Sequence, residues 1–247
     1  MSGHSKWATI RRHKGVQDAK RGKIFTSIIR EIQISARDGG SDEESNPRLR
    51  TAIAAAKAAN MPNENIKRAI QRGTGELPGI SYEEITYEGY GPGGVAILVE
   101  CLTDNKQRTV SEIRHLFSKY NGSFAENGAV SWMFAEKGII TFNRNNYNED
   151  TMMEYVLESD AEDLTVEDGE FQVICSPKDF SAIQAYFDEK HVMYENAEIA
   201  KIPQSTIKVE GKNAKTLMKL MEAIEDCDDV QKVWANFDID DTYLENE

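Results

Sequence analysis

Seven cations stand within the first 23 residues: Lys6, Arg11, Arg12, Lys14, Lys20, Arg21 and Lys23, with Trp7 and His13 among them and Asp18 as the one carboxylate. Mobile cations on a glycine-containing arm suit phosphate, because each contact releases counterions condensed on a polyanion. Trp7 can add stacking on a base. A solvated tail that keeps the protein in solution is the competing reading, and so basic an arm on an acidic chain favours binding. DNA, RNA and an anionic membrane all attract such charge. Membrane ranks last, because the arm has no apolar face at helical spacing.

No other combination of residues assembles a reaction centre. Asp226, Asp228 and Asp229 fall at a helix exit and Asp238, Asp240 and Asp241 in the acidic C-terminal stretch, where solvated charge is a better account than the convergent acids of a two-metal nuclease. His4, His13, His115 and His191 have no cysteine partners and no H-E-x-x-H spacing, so no metal is expected. Cys101, Cys175 and Cys227 are odd in number and far apart, which fits a reducing cytosol rather than a disulfide framework. Gly89-Tyr90-Gly91-Pro92-Gly93-Gly94 looks like a phosphate loop, but a strand pattern follows it instead of a helix, so a hairpin turn is preferred. The sequence therefore gives no positive argument for an enzyme or a cofactor.

Behind the arm, Phe25, Ile28, Ile29, Ile32 and Ala36 recur at helical spacing, and Asp38-Gly39-Gly40 ends that helix. Asn46-Pro47 opens a second helix with Leu49, Ile53 and Ala56 inward, and Pro62 opens a third through Ile66 and Ile70. The tight turn at Asn60-Met61-Pro62 permits a helix-turn-helix in which Asn63, Asn65, Lys67 and Arg68 reach base edges. An ordinary three-helix packing unit explains the same spacing and is preferred, with Lys67 and Arg68 kept as candidate contacts. From Tyr82 the pattern changes to strands: Ile85–Tyr87, Val95–Leu102, a helix Arg108–Tyr120, and a strand Ala129–Phe134. Residues 138–203 then alternate as βαββαβ, the order of a ferredoxin-like split βαβ domain, and residues 206–237 add strand, helix and strand. One βαβ buries too little by itself, so it is assigned to the domain begun near residue 82.

The expected architecture is α+β: a basic arm 1–23, a three-helix domain 24–78, a discontinuous α/β domain 79–137 plus 204–247, and an inserted ferredoxin-like domain 138–203. Net charge is −13, yet residues 1–75 carry +8 and the rest −21. Exposed charges farther apart than about 8 Å are largely screened at physiological salt, so a basic module can act beside an acidic body. No apolar run reaches the roughly 20 residues that span a bilayer. The N-terminus lacks a signal-peptide core and is too poor in apolar residues for a transit peptide.

Gly3-His4-Ser5-Lys6-Trp7, Asp18-Ala19-Lys20-Arg21-Gly22-Lys23-Ile24-Phe25, Asn46-Pro47-Arg48-Leu49-Arg50, Ala59-Asn60-Met61-Pro62, Tyr87-Glu88-Gly89-Tyr90-Gly91-Pro92-Gly93-Gly94 and Glu100-Cys101-Leu102-Thr103-Asp104-Asn105 together resemble the YebC/PmpR family over essentially the whole chain. The resemblance implies three domains, one of them discontinuous, and a bacterial cytoplasmic protein that binds DNA as a transcriptional regulator. The same superfamily includes a mitochondrial translational activator, so the alternative is a ribosome-associated translation factor contacting ribosomal RNA. The family supplies no catalytic residues to carry over, and its basic motif falls on Lys6, Lys20, Arg21 and Lys23. The chain departs from the family pattern at Ser123-Phe124-Ala125-Glu126-Asn127, where small and polar residues are usual.

Overall fold

Asp18–Gly39 forms a 22-residue helix, α1, in the computed structural model, which describes residues 18–167 and 169–240. The helix starts well before the first apolar repeat at Phe25, so residues expected in the arm join it. Ala19, Lys20, Arg21 and Lys23 are all good helix formers, and a single Gly22 does not interrupt them. Gly40, at φ +84°, closes the helix with its N–H on the Ala36 carbonyl at 3.0 Å. α2 (Pro47–Ala58) and α3 (Asn63–Gly73) follow. Asn46 caps α2 by accepting from the Leu49 N–H at 3.0 Å, while its amide donates to the carbonyls of Ser35 and Gly40. One side chain thus ties the end of α1 to the start of α2. Ile32, Ala36, Leu49, Ile53, Ala56, Ile66 and Ala69 form the shared core.

The next elements are β1 (Glu83–Tyr90), β2 (Ala96–Thr103), α4 (Lys106–Lys119) and β3 (Ser123–Ala125). β1 and β2 make an antiparallel hairpin closed by the Tyr90–Ala96 pair. Its turn is the glycine run, with Gly93 and Gly94 both at positive φ and the Gly91 N–H on the Val95 carbonyl at 2.8 Å. These residues serve a hairpin. The expected strand Ala129–Phe134 does not form. The N–H groups of Val130 and Ser131 donate to the Glu88 carboxylate instead of to a neighbouring strand, and Ser131–Met133 makes a 3₁₀ turn.

β4 (Phe134–Asn143), α5 (Glu149–Glu158), β5 (Asp163–Glu167), β6 (Glu170–Cys175), α6 (Phe180–Glu189) and β7 (Asn196–Pro203) give the expected βαββαβ. The antiparallel sheet order β5-β6-β4-β7 is that of the ferredoxin-like fold. Phe142, Phe171, Val173, Met152 and Phe187 fill its core, with the Phe142 and Phe187 rings 4.7 Å apart. The chain finishes with β8 (Ile207–Lys208), α7 (Gly211–Glu225), β9 (Val230–Ala235) and β10 (Phe237–Asp238). β9 completes the sheet β3-β1-β2-β9, and β8 pairs in parallel with β10. The fold is α+β and divides into two compact units. One holds the three helices, β1 to β3, α4 and Val209–Val233; the other holds Trp132–Lys208 and the described residues from Trp234.

Candidate nucleic-acid interface

Asn60, at φ +57°, and Pro62 turn the chain so that α2 and α3 lie side by side. Between them runs an open groove of about 500 Å³. Ile53, Ile66 and Ile70 form its floor, Lys57, Asn63, Lys67 and Gln71 its polar rim, and Glu43 and Glu76 also line it. Lys67 therefore stands beside a groove that pairs cations and amide groups with an apolar base. Arg68, one residue on, is exposed and pairs with Glu64 at 3.2 Å along the helix. The other arginines of this module are largely committed. Arg48 pairs with Glu31 and Glu84, Arg37 with Asp38, Arg30 with Asp229, and Arg50 donates to the Glu43 carbonyl. Lys57, Lys67 and Arg72 have no ion-pair partner among the described residues.

Of the expected phosphate ligands, Lys6, Trp7, Arg11, Arg12 and Lys14 lie outside the described residues. Lys20 and Arg21 fall in the first turn of α1. Lys23 turns inward, and its ammonium donates to the Glu225 carbonyl at the end of α7. Burial there pushes its pKa down, against the pull of Asp226, Cys227 and Asp228. A cation at a helix C-terminus also complements the helix dipole.

Lys23 is the first of a row. Ser27 donates to the Gln231 side chain. Arg30 donates to the carbonyls of Leu102 and Asp228 and to the Asp229 carboxylate at 3.0 Å. Arg37 donates to the Tyr82 carbonyl. Residues 23, 27, 30, 34 and 37 share one helical stripe, and Ile34, in the same row, is fully buried. α1 thus has two working faces: an apolar one in the three-helix core and a polar one seated on the first α/β sheet. At the centre of that seat Asp229 also accepts from Arg108 at 2.8 Å, Thr109 at 2.7 Å and Thr103 at 3.1 Å. Burial pushes the Asp229 carboxyl up, but these hydrogen bonds and the two guanidinium charges outweigh it and hold it below the usual carboxylate range. Asp229, one of the acids weighed for metal chemistry, is a structural counter-ion. Among the described residues no group of three or more His, Cys, Asp or Glu side chains is placed to hold a metal ion.

A second buried carboxylate, Glu88, accepts from the N–H groups of Gly128 (2.7 Å), Val130 (2.6 Å) and Ser131 (3.0 Å). It fixes the loop after β3, just beyond the 123–127 stretch expected to depart from the family pattern. Phe124 in that stretch lies against the rings of Tyr87 and Phe117. Sequence reasoning singled out neither Arg30 nor Glu88. The available signals were an arginine on the non-core stripe of an apolar helix and a carboxylate in the middle of a strand. The three cysteines are buried thiols; burial pushes Cys175 up to about 11 and Cys227 up to about 12, so neither is a ready nucleophile. Among the described residues no helix is long and apolar enough to cross a membrane.

A helical module seated by one helix on an α/β sheet, with a ferredoxin-like βαββαβ unit in the same chain, defines an α+β scaffold. The chain belongs to the TACO1/YebC family: the family model for its N-terminal domain matches residues 5–76, and that for its second and third domain matches residues 82–237. It is 55% identical over 241 residues to a protein of Desulforapulum autotrophicum, covering 98% of each chain. It is 56% identical over 245 residues to one of Koribacter versatilis, covering 99% of this chain and 98% of the other. Both are named "probable transcriptional regulatory protein". The crystal structure of a conserved hypothetical protein from Aquifex aeolicus is similar with a TM-score of 0.83 and 44% identity, covering 90% of this chain and 92% of that one.

Proposed function

We propose that this chain is a regulatory protein that binds nucleic acid through its basic N-terminal segment and helical module, acting on DNA as a transcriptional regulator and catalysing no reaction. The carrying observation is the distribution of charge. Seven cations fall in the first 23 residues, whereas the arginines behind them are mostly tied to carboxylates or carbonyls. Phosphate binding is therefore assigned to Lys6, Arg11, Arg12, Lys14, Lys20 and Arg21, with Trp7 stacking and Lys67 and Arg68 as flanking contacts. Lys23 is assigned to holding α1 in place. The names of the relatives support the transcriptional reading.

The test is removal of residues 1–17, which leaves α1 whole. It deletes four cations, so the log–log salt slope for duplex DNA should flatten by about 3.6. Unchanged affinity and slope on duplex DNA and on RNA would refute the assignment. Retention on ribosomes at a salt concentration that releases duplex DNA would instead place the same cations on ribosomal RNA and make the chain a translation factor.

A further inference from the structure

α7 carries its charges in the reverse of the order that stabilises a helix. Lys212, Lys215 and Lys219 occupy its first half, its first turn holds no acid, and Glu210 gives no side-chain cap. Its last turn holds no base, and Glu222, Glu225 and Asp226 cluster at that end. The helix dipole favours the opposite arrangement at both ends. The C-terminal mismatch is answered within the protein, since Lys23 binds the Glu225 carbonyl. At the N-terminal end no acid of the first turn offsets the three lysines. Lys212, Lys215 and Lys219 lie at i, i+3 and i+7 on one exposed stripe, opposite buried Ala214, Leu217, Leu220, Met221 and Ile224. None has an ion-pair partner among the described residues.

α4 adds cations at the same end. It runs antiparallel to α7. Thr109, in its first turn, donates to Asp229 just beyond the end of α7 at 2.7 Å. Gly122, just after α4, sits against the Tyr90 carbonyl, and Gly93 of the same turn sits against Val209, just before α7. The C-terminal half of α4 therefore lies at the lysine-bearing end of α7. Its exposed Arg114 and Lys119 contact the rings of Phe124 and Tyr120. Five cations from two helices thus mark one end of this layer, in the part of the chain that carries −21 overall. Glu210 and Glu222 flank the lysine stripe without interrupting it. A local exception to a strongly acidic composition, in an arrangement unfavourable to its own helix, fits a surface completed by an external polyanion.

We infer that the cationic end of the α4–α7 layer, centred on Lys212, Lys215 and Lys219, is a second contact surface for the phosphate backbone of a nucleic acid. It rests on the proposed nucleic-acid-binding function and adds a site remote in sequence from the basic arm. The surface and α1 belong to one compact unit.

The experiment uses the full chain with Lys212, Lys215 and Lys219 all replaced by Gln, beside the Lys→Arg version and the deletion of residues 1–17. Fluorescent duplex DNA and single-stranded RNA are titrated over a range of salt, and Tm is measured. The expected result is weaker binding, with the slope reduced by about 2.7 on duplex or about 2 on a single strand. Tm should hold or rise, because the unfavourable charges are gone, and the Lys→Arg version should bind normally. Unchanged binding by the Gln version, when the deletion does weaken binding, overturns this surface and leaves the arm assignment standing. No effect from either change overturns both. A lower Tm with lost binding that Arg does not restore makes the lysines structural and also overturns it.

Discussion

Asp229→Ala should be among the most damaging single substitutions in the helical half of the protein. Asp229 is 3% exposed and accepts from two arginines and two threonines at 2.7–3.1 Å. Removing it strands the Arg30 guanidinium, itself 9% exposed, with two carbonyl partners but no countercharge. It also leaves the Thr103 and Thr109 hydroxyls with only each other and the Asn105 backbone. Breaking a buried ion pair from one side costs about 3–5 kcal/mol. At about 2–4 °C per kcal/mol for a chain of this size, Tm should fall by roughly 6–20 °C. Arg108→Ala removes a partner whose side chain is 49% exposed, so its loss should cost far less than that of Asp229. Denaturation in urea, with hydrogen exchange read along α1, measures both. Exchange should rise around Arg30 in Asp229→Ala because the helix loses its seat on the sheet. Equal losses for the two substitutions, or unchanged protection of α1, would refute the claim that this carboxylate anchors the helix.

Acid should act through the same group and through Glu88. Both carboxyls are held below their ordinary values, so the unfolded chain takes up their protons first as pH falls. Their stabilisation is complete above the unfolded values of about 3.9 and 4.3 and is lost as pH drops through the lower folded values. Wild type should lose stability steeply below about pH 4, and Asp229→Asn or Glu88→Gln should flatten that limb; parallel pH curves would argue against it. Glu88→Ala leaves the Gly128, Val130 and Ser131 N–H groups without their acceptor, at a cost of about 3 kcal/mol, with faster exchange at those three amides as the local readout. Gly73→Ala sets helix propensity against packing. A Cβ there stands 2.3 Å from the Gln33 carbonyl oxygen and 2.9 Å from the Ala36 Cβ. We expect a net loss of about 1–3 kcal/mol from the clash, and a stabilised variant would show that α1 and α3 are not in such close contact.

The local grammar of the fold was legible. Asn46-Pro47 reads as a cap and first turn because both properties reside in those two residues. The βαββαβ order was legible because each element there buries a face of its own. The strand expected at Ala129–Phe134 failed for a reason absent from that segment: Glu88, some forty residues earlier, supplies the acceptor that a neighbouring strand would have offered. The start of α1 was missed because apolar periodicity marks only its core-facing part, whereas Lys23 is held by a carbonyl 202 residues away. Arg30 was overlooked for the same reason. A single charged residue in a helix reads as solvated until the fold brings Asp229 to it. The candidate site was legible as charge and not as geometry: composition located the cations, but which of them are internally committed depends on partners distant in the chain.

That division bears on how the protein can hold a ligand. α1 is anchored to the first α/β layer at Lys23, Ser27, Arg30 and Arg37, a row that spans about 21 Å at the helical rise. Four anchors along such a length leave α1 no freedom to swing on the α/β sheet without breaking the buried Arg30–Asp229 pair. The first turns of α1 are therefore held at the C-terminal end of α7, where Lys23 binds the Glu225 carbonyl. On the proposed binding mode, the fold sets the spacing between the first turn of α1 and the α7 lysines, and with it the effective concentration of the second contact. Asp229→Ala, by freeing α1, should weaken nucleic-acid binding more than it alters the salt slope, since no phosphate-facing cation is removed. A slope change as large as that of the lysine substitutions would contradict this coupling.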